Sequence, residues 1–158
     1  MDIIKLDMQD HYIAGAVWRL QHSAYTIEAA LIGFANIPPL METVATLQES
    51  GQSFYGILGD ADVRAVVAIE ERDKTVTICR LMVHPEHHRQ GLGKRLLDYI
   101  ERIHPGTETF LVSTGSLNMP ALRLYESAGF TPQRQWEAAP GLVLTDLVKH
   151  VNDECSAT

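Results

Sequence analysis

The stretch HHRQGLGKRLL, from His87 to Leu97, places Gly91 and Gly93 among basic side chains, directly before an apolar pattern typical of a helix. The pattern repeats at spacings of four, four and three residues, through Leu92, Leu96, Ile100 and Ile103. The first turn of a helix has backbone N–H groups without intrahelical partners, and the helix dipole favours negative charge there. Because Arg89 and Lys94 add positive charge, the stretch indicates an anion site suited to a phosphate or pyrophosphate.

Two familiar phosphate loops do not fit this stretch. A dinucleotide fingerprint needs a further glycine where Leu96 stands, and a P-loop needs Ser or Thr where Arg95 follows Lys94 and an earlier glycine where His88 stands. Taken alone, the stretch is equally consistent with a third kind of anion turn and with an ordinary strand-to-helix turn that contains glycines.

Working outward, the hydrophobic periodicity predicts strands and helices in a mixed α/β order. Before the stretch we expect a strand near Ile3–Leu6 and a helix capped by Asp10 that runs through Glu28 or beyond. A break at Asn36–Pro39 and a helix over Leu40–Glu49 should follow. Three antiparallel strands are then expected at Ser53–Leu58, Val63–Glu70 and Thr75–Val83. After it we expect a strand at Phe110–Ser113, a helix over Asn118–Ala128, and a closing hairpin of Gln133–Ala138 and Leu142–Val148. These elements fit one central sheet.

Composition limits the classes of function. The 158 residues fit one domain, residues 1–150, followed by a polar tail, residues 151–158. A formal net charge of −7 argues against a general nucleic-acid binder. The two cysteines, Cys79 and Cys155, form no disulfide framework, and no signal peptide or membrane-length apolar run is visible, so we expect a cytoplasmic protein that does not bind membranes.

A second stretch, NMPALRLYESAGF from Asn118 to Phe130, decides between the alternatives. It resembles the second signature of the GNAT acetyltransferases, Asn-x-x-Ala-x-x-Leu-Tyr-x-x-x-Gly-Phe, and Gln90–Gly93 after Val-His-Pro resembles the glycine turn of the same family. The two stretches stand in the family's order, a strand-sized gap apart. The chain is therefore identified as a GNAT-like protein, and the close resemblance covers residues 75–130.

The resemblance implies a fold, a cosubstrate and a site. The fold would be a mostly antiparallel sheet of six to seven strands, with two splayed central strands and about four helices. Acetyl-CoA would lie between the splayed strands and donate its acetyl group to an amine: a small molecule, an amino acid or a protein N-terminus. Tyr125 would hold or protonate the departing thiolate. The other cofactor-binding residues would be Leu81, Met82 and Val83 through their backbone, His88, Arg89, Gln90, Gly91, Leu92, Gly93 and Lys94 at the turn, and Asn118 on the cofactor arm.

The chain departs from the family pattern in three places. His88 stands where Arg or Gln is usual, which alters a side-chain contact but leaves the backbone N–H groups of the turn. Thr77 stands four residues before the expected bulge, near Leu81 or Met82, where some members carry a basic Glu. The base is then a water relay or one of His22, Glu28, Glu70 and His84. The small polar run Ser113–Ser116 leaves that wall of the site open.

The acceptor side is expected between the first two helices. Tyr25 and Glu28 are candidates to face the amine, with Ile37–Pro39 as a lid, although Tyr25, Ile27 and Leu31 are equally consistent with core positions. The cluster of histidines in HPEHH matches no standard zinc pattern, so we expect no metal. The partner would be the amine acceptor, and the protein would be a monomer or a homodimer. An alternative function is a GNAT-fold module that senses CoA with weak or no catalysis.

Overall fold

The computed structural model describes residues 2–60, 62–88 and 90–151. Four α-helices occupy α1 His11–Ile32, α2 Val44–Gln48, α3 Leu92–Ile103 and α4 Met119–Ser127, and short 3-10 helices occupy Pro38–Met41 and Pro85–His87. Seven strands occupy β1 Ile3–Lys5, β2 Ser53–Leu58, β3 Val63–Arg72, β4 Thr75–Val83, β5 Thr109–Gly115, β6 Thr131–Ala139 and β7 Leu142–His150. They form one sheet in the order β1-β2-β3-β4-β5-β7-β6.

All neighbouring strands are antiparallel except the central pair, β4 and β5, which is parallel. The register of this pair ends at Ile78 opposite Val112. Both strands continue beyond that point, β4 to Val83 and β5 to Gly115, without pairing to each other. The mixed α/β fold with splayed central strands is therefore confirmed.

Three of the four helices begin at a residue whose side chain caps the first turn. Asp10 accepts a hydrogen bond from the backbone N–H of Tyr12 at 2.9 Å, Thr43 accepts one from Thr46, and Asn118 accepts one from Ala121 at 3.2 Å. Helix α3 differs, because Gly91 precedes it and supplies no side-chain cap. The first turn of α3 therefore keeps N–H groups that no capping side chain satisfies.

The sheet is covered on both faces. One core joins α3 and α4 to residues such as Ile78, Phe110 and Val112. The second core joins α1 and α2 to Phe54, Val66 and Met82 on the other face. A third, smaller cluster packs the end of α1 against β7 through Ile32 and Leu142, and Ile32 also packs on the backbone of Gly115. Helix α1 is thereby held beside the open end of the β4–β5 split.

The predicted helix over Leu40–Glu49 is wrong in its first half. Pro38 and Pro39 open a 3-10 helix, Glu42 is extended with ψ 156°, and α2 begins only after Thr43. The prolines fit the first positions of a helical turn, while the Glu42 side chain is held by long-range contacts described below. The predicted polar tail falls on residues 151–158, of which 152–158 lie outside the described residues.

Within the described ranges, no helix combines the length and the apolar character that a membrane span requires.

Candidate active site

A cleft of about 740 Å³ opens where β4 and β5 separate. Its walls come from the second half of α1, the ends of β4 and β5, the turn before α3, and α4. Because α1 covers one face of the sheet and α3 and α4 cover the other, the cleft connects the two faces through the split. It brings together most of the residues that the two sequence signatures single out.

The turn before α3 forms the end of the cleft that best suits an anion. Gly91 has φ 74°, a left-handed backbone conformation that is strained for residues with a side chain. A Cβ built on Gly91 would meet no atom within 4 Å. The uncapped first turn of α3 lies directly behind it. Lys94 lines the same region and pairs with Asp98 at 3.4 Å. Backbone N–H groups and one lysine therefore converge on open space.

Of the remaining residues predicted at the turn, some line the cleft and others do not. His88 lines the cleft, and its Nε2 lies 3.3 Å from the carbonyl oxygen of Val83 at the end of β4. Leu92 and the buried Gly93 also line the cleft, and a Cβ at Gly93 would come within 3.0 Å of Leu124, so this glycine lets α3 and α4 pack closely. Gln90 is exposed and does not line the cleft. Arg89 lies outside the described residues.

The β4 wall contains the predicted stretch from Leu81 to Val83. Leu81 and Val83 line the cleft, whereas the side chain of Met82 is 1% exposed and packs in the core beneath α1. The expected position of the bulge is wrong. The register with β3 shifts between Ile78 and Arg80, which leaves Cys79 without a partner.

Strand β4 carries no carboxyl group near the bulge at Cys79. The position four residues before Cys79 is Thr75, and Thr77 lies two residues before it, so neither position carries a carboxyl group. The thiol of Cys79 itself lines the cleft, but burial, and secondarily the nearby Glu70 carboxylate, raise its pKa to about 11. Cys79 is therefore a neutral thiol at physiological pH.

Three ionisable side chains, two tyrosines and one glutamate, lie together where α1 meets α4. Tyr125 on α4 is 6% exposed, and burial raises its pKa, with smaller contributions from Tyr25 and Glu28. Burial also raises the pKa of Tyr25, with a further rise from Glu28, while a hydrogen bond to the backbone of Leu81 opposes the shift. Burial raises the pKa of Glu28 as well. The shared cause is poor access of water to the charged forms.

Asn118 links this cluster to the start of α4. Its Oδ1 accepts the hydrogen bond from Ala121 that caps the helix, so its amide nitrogen is left to donate elsewhere. It is a hydrogen-bond partner of Glu28 and partly offsets the rise in the pKa of that carboxyl group. The side chain is 6% exposed and lines the cleft.

Only one of the four residues suggested as bases lines this cleft. His22 is exposed and stacks on Trp18 with ring centroids 5.4 Å apart. Glu70 is exposed on β3, and His84 lines a separate cavity, where its Nδ1 accepts a hydrogen bond from the backbone of Glu86. Glu28 lies in the cleft beside Tyr125. Of the four side chains, Glu28 is therefore the one that shares the cleft with Tyr125, and the base, Glu28 or a water relay, stays a prediction.

Sequence reasoning missed a buried polar network behind the acceptor side of the cleft. Arg80 on β4 is 9% exposed and pairs with both carboxylate oxygens of Glu42. Its guanidinium also donates to Gln52 at 2.8 Å and to Gln21 at 2.9 Å. Gln21 in turn donates to the carbonyl oxygen of Pro39 at 2.9 Å. The network fastens residues 38–42 to α1 and β4.

Two apolar residues of α1 line the cleft and do not lie in the core. Ile27 is 39% exposed and Leu31 is 47% exposed, and both line the cleft. Tyr25 is partly buried and lines it too. Arg123 on α4 is a further exposed cation in the lining. The spacing of residues 24, 27, 28 and 31 could have predicted that they line the cleft together, because these positions share one side of a helix.

The histidines of the β4–α3 connection lie close together without forming a metal site. The rings of His84 and His87 are 5.5 Å apart, and Nε2 of His87 lies 3.7 Å from a carboxylate oxygen of Asp62. In the part of the chain that the structure describes, no group of three or more His, Cys, Asp or Glu side chains could hold a metal ion.

Comparison with known proteins agrees with this geometry. Residues 25–132, more than half of the chain, match the family model described as "Acetyltransferase (GNAT) domain". The chain is 36% identical over 140 residues to UPF0157 protein YqkA of Bacillus subtilis (strain 168). The match covers 89% of this chain and 41% of that relative, so the chain spans less than half the relative's length.

Two solved structures share the fold. The ribosomal-protein-S18-alanine N-acetyltransferase of Escherichia coli superposes with a TM-score of 0.75 at 18% identity, covering 96% of this chain and 94% of that one. The PaiA N-acetyltransferase of Thermoplasma acidophilum, in complex with coenzyme A, superposes with a TM-score of 0.72 at 16% identity, covering 95% and 98%. The two structures show a shared fold, and the match of residues 25–132 to the family model shows that the chain belongs to the GNAT acetyltransferase family.

Proposed function

We propose that this protein transfers the acetyl group of acetyl-CoA to an amine. The observation that supports this most directly is the distribution of charge in the cleft. Cations and unpaired backbone N–H groups lie at the α3 side, and one carboxyl group, Glu28, lies at the α1 side next to Tyr125. An anionic cosubstrate and a cationic acceptor would enter from opposite faces of the sheet and meet in the split.

The residues at the α3 side fit the pyrophosphate of CoA. Three helices are capped by their own side chains, whereas α3 presents an uncapped first turn behind the open space at Gly91. Such a turn binds phosphate through N–H groups and the helix dipole. Lys94 and Arg123 add positive charge to the cleft, so the site would not depend on an Arg side chain at position 88.

The unpaired edge of β4 from Cys79 to Val83 would align the arm of acetyl-CoA in the split. Acetyl-CoA supplies a thioester whose thiolate is a good leaving group, since thiol pKa values lie near ~8.5. The backbone N–H at the Cys79 bulge would be the donor to the oxyanion, in place of the Leu81 or Met82 N–H expected from the sequence.

Glu28 and Tyr125 divide the proton chemistry. The carboxylate of Glu28 would first take a proton from the ammonium group and pass it to water, which frees the lone pair of the nitrogen. As the neutral nitrogen bonds to the carbonyl carbon and the C–S bond breaks, Glu28 would take the second proton that the nitrogen loses. The hydroxyl of Tyr125 would donate a hydrogen bond to the departing sulfur. Because burial raises the pKa of Tyr125, full proton transfer to a thiolate is unfavourable, so Tyr125 holds the thiolate and does not become ionised.

The test is turnover by Tyr125→Phe, followed as release of free thiol from acetyl-CoA over a panel of amines. We expect kcat to fall at least about tenfold, since one positioned hydrogen-bond donor to developing charge contributes ~10²–10³-fold, while acetyl-CoA affinity measured by calorimetry stays within about twofold. An unchanged kcat would remove Tyr125 from the reaction. Binding of acetyl-CoA by the wild-type protein with no turnover on any amine would refute the transferase and favour a CoA sensor.

A further inference from the structure

The second half of α1 has two apolar faces, and only one of them is needed for the core. Ala29 and Ile32 pack in the core cluster between the end of α1 and β7, as expected for an amphipathic helix. Ile27 and Leu31 point instead into the cleft and remain 39% and 47% exposed. They are four residues apart, so they form one strip along the cleft wall.

Glu28 lies at the edge of this apolar strip. Among the described residues that line the cleft it is the single carboxyl group. Burial raises its pKa, and Asn118 from the opposite wall is its hydrogen-bond partner. The strip therefore combines one negative group with an adjoining hydrocarbon surface.

Among the described residues that line the cleft, Glu28 is the one charged side chain that α1 contributes. Arg80 lines the cleft, but both of its terminal nitrogens are held by Glu42. Lys94 and Arg123 belong to α3 and α4, on the face assigned to CoA. A charged group placed against Ile27 and Leu31 would lose its hydration without gaining a partner.

We infer that the acceptor is a small primary amine on an apolar carbon skeleton, with its nitrogen at Glu28 and its hydrocarbon against Ile27 and Leu31. This inference rests on the proposed transfer of acetyl groups and names the substrate class of that same site. It excludes polyamines and amino acids as preferred acceptors, because each carries a second charge that would lie against the strip or be repelled by Glu28.

A series of linear amines from propylamine to hexylamine tests this directly. Each added CH₂ that the strip covers should raise kcat/KM about fourfold, which corresponds to ~0.8 kcal/mol per buried CH₂. Hexamethylenediamine and aminocaproate, which match hexylamine in length but carry a second charge, should be at least tenfold poorer acceptors. A peptide with a free N-terminal alanine is the further arm, and it should also be poorer than hexylamine.

Variants of the strip connect the preference to these two residues. Ile27→Thr keeps the branching at Cβ and Leu31→Asn keeps the branching at Cγ, and each replaces apolar surface of the strip by polar atoms. Each should lower kcat/KM for hexylamine about tenfold and flatten the dependence on chain length, with acetyl-CoA affinity by calorimetry within twofold of wild type. Val143→Thr is the matched control, because Val143 is 41% exposed on β7 and does not line the cleft; it should preserve the dependence.

The outcomes separate this inference from the proposed function. Turnover that rises with chain length and flattens in the strip variants supports both. Turnover that is independent of chain length, or highest with the diamine, the amino acid or the peptide, overturns the acceptor class and leaves the transferase standing. Binding of acetyl-CoA without turnover on any of these amines overturns the transferase, and the acceptor class with it.

Discussion

Removing the charge of Glu42 tests the buried network behind the cleft. Glu42→Gln keeps the shape of the side chain but leaves the guanidinium of Arg80 with neutral partners. Arg80 is 9% exposed and Glu42 is 26% exposed, and their contact joins both carboxylate oxygens to both terminal nitrogens. In the wild-type protein the positive charge is therefore compensated where water reaches it poorly.

The expected loss follows from the burial of the two partners. Breaking a fully buried ion pair by removing one partner costs ~3–5 kcal/mol. Glu42 is about one quarter exposed, and the Gln21 and Gln52 amides still accept from Arg80, so we expect the free energy of unfolding to fall by about 2–3 kcal/mol. For a chain of this size that corresponds to a decrease in Tm of roughly 5–10 °C.

Urea denaturation followed by circular dichroism measures the effect. Glu49→Gln is the matched control, because it makes the same chemical change at an exposed position at the end of α2, and it should stay within about 0.5 kcal/mol of wild type. Arg80→Met completes a double-mutant cycle with Glu42→Gln. The coupling should exceed about 1 kcal/mol, since groups within one network are not additive.

The same variant should affect amine binding more than cosubstrate binding. Gln21 and Trp18 hold residues 38–42 on α1 through the carbonyl oxygens of Pro39 and Glu42, at 2.9 and 2.8 Å. Arg80 and α1 both line the cleft, so loosening this network should raise KM for the amine, with acetyl-CoA affinity unchanged. A loss of stability below 0.5 kcal/mol, or additive effects in the cycle, would show that the buried pair does not hold residues 38–42 against α1 and β4.

Two further predictions concern residues on opposite sides of the cleft. Gly91→Val should reduce acetyl-CoA affinity at least tenfold in calorimetry, because a branched side chain is strained at φ 74° and the turn must shift; wild-type affinity would contradict the placement of the pyrophosphate. Glu28→Gln should lower kcat and remove the acidic limb of the pH–rate profile, and a profile that keeps this limb would exclude Glu28 as the base. Because burial raises the pKa of Glu28 above its ordinary 4.5, the folded protein holds more protons than the unfolded chain above that pH, and the free energy of unfolding falls as pH rises through this window. At neutral pH the Gln variant should therefore be more stable than wild type in urea denaturation, even though it is less active.

The features that local sequence predicts correctly are those with local causes. The caps at Asp10 and Asn118 and the apolar stripe of α3 act within one helix, so their boundaries follow from neighbouring residues. The glycine turn and the Asn118–Phe130 signature have the same local character. The helix expected over Leu40–Glu49 fails because Glu42 is extended and paired with Arg80, 38 positions away in the chain.

The sequence by itself determined the order of strands and helices, the uncapped turn at Gly91 and the family resemblance, because each depends on residues a few positions apart. Only the tertiary structure decided which acidic or basic side chain shares the cleft with Tyr125, where β4 bulges, and that Ile27 and Leu31 face the site instead of the core. The physical reason is that burial, desolvation and ion pairing depend on what the fold brings together across the split sheet. A sequence pattern shows apolar residues on α1, but it does not show that the split between β4 and β5 leaves Ile27 and Leu31 facing an open cleft.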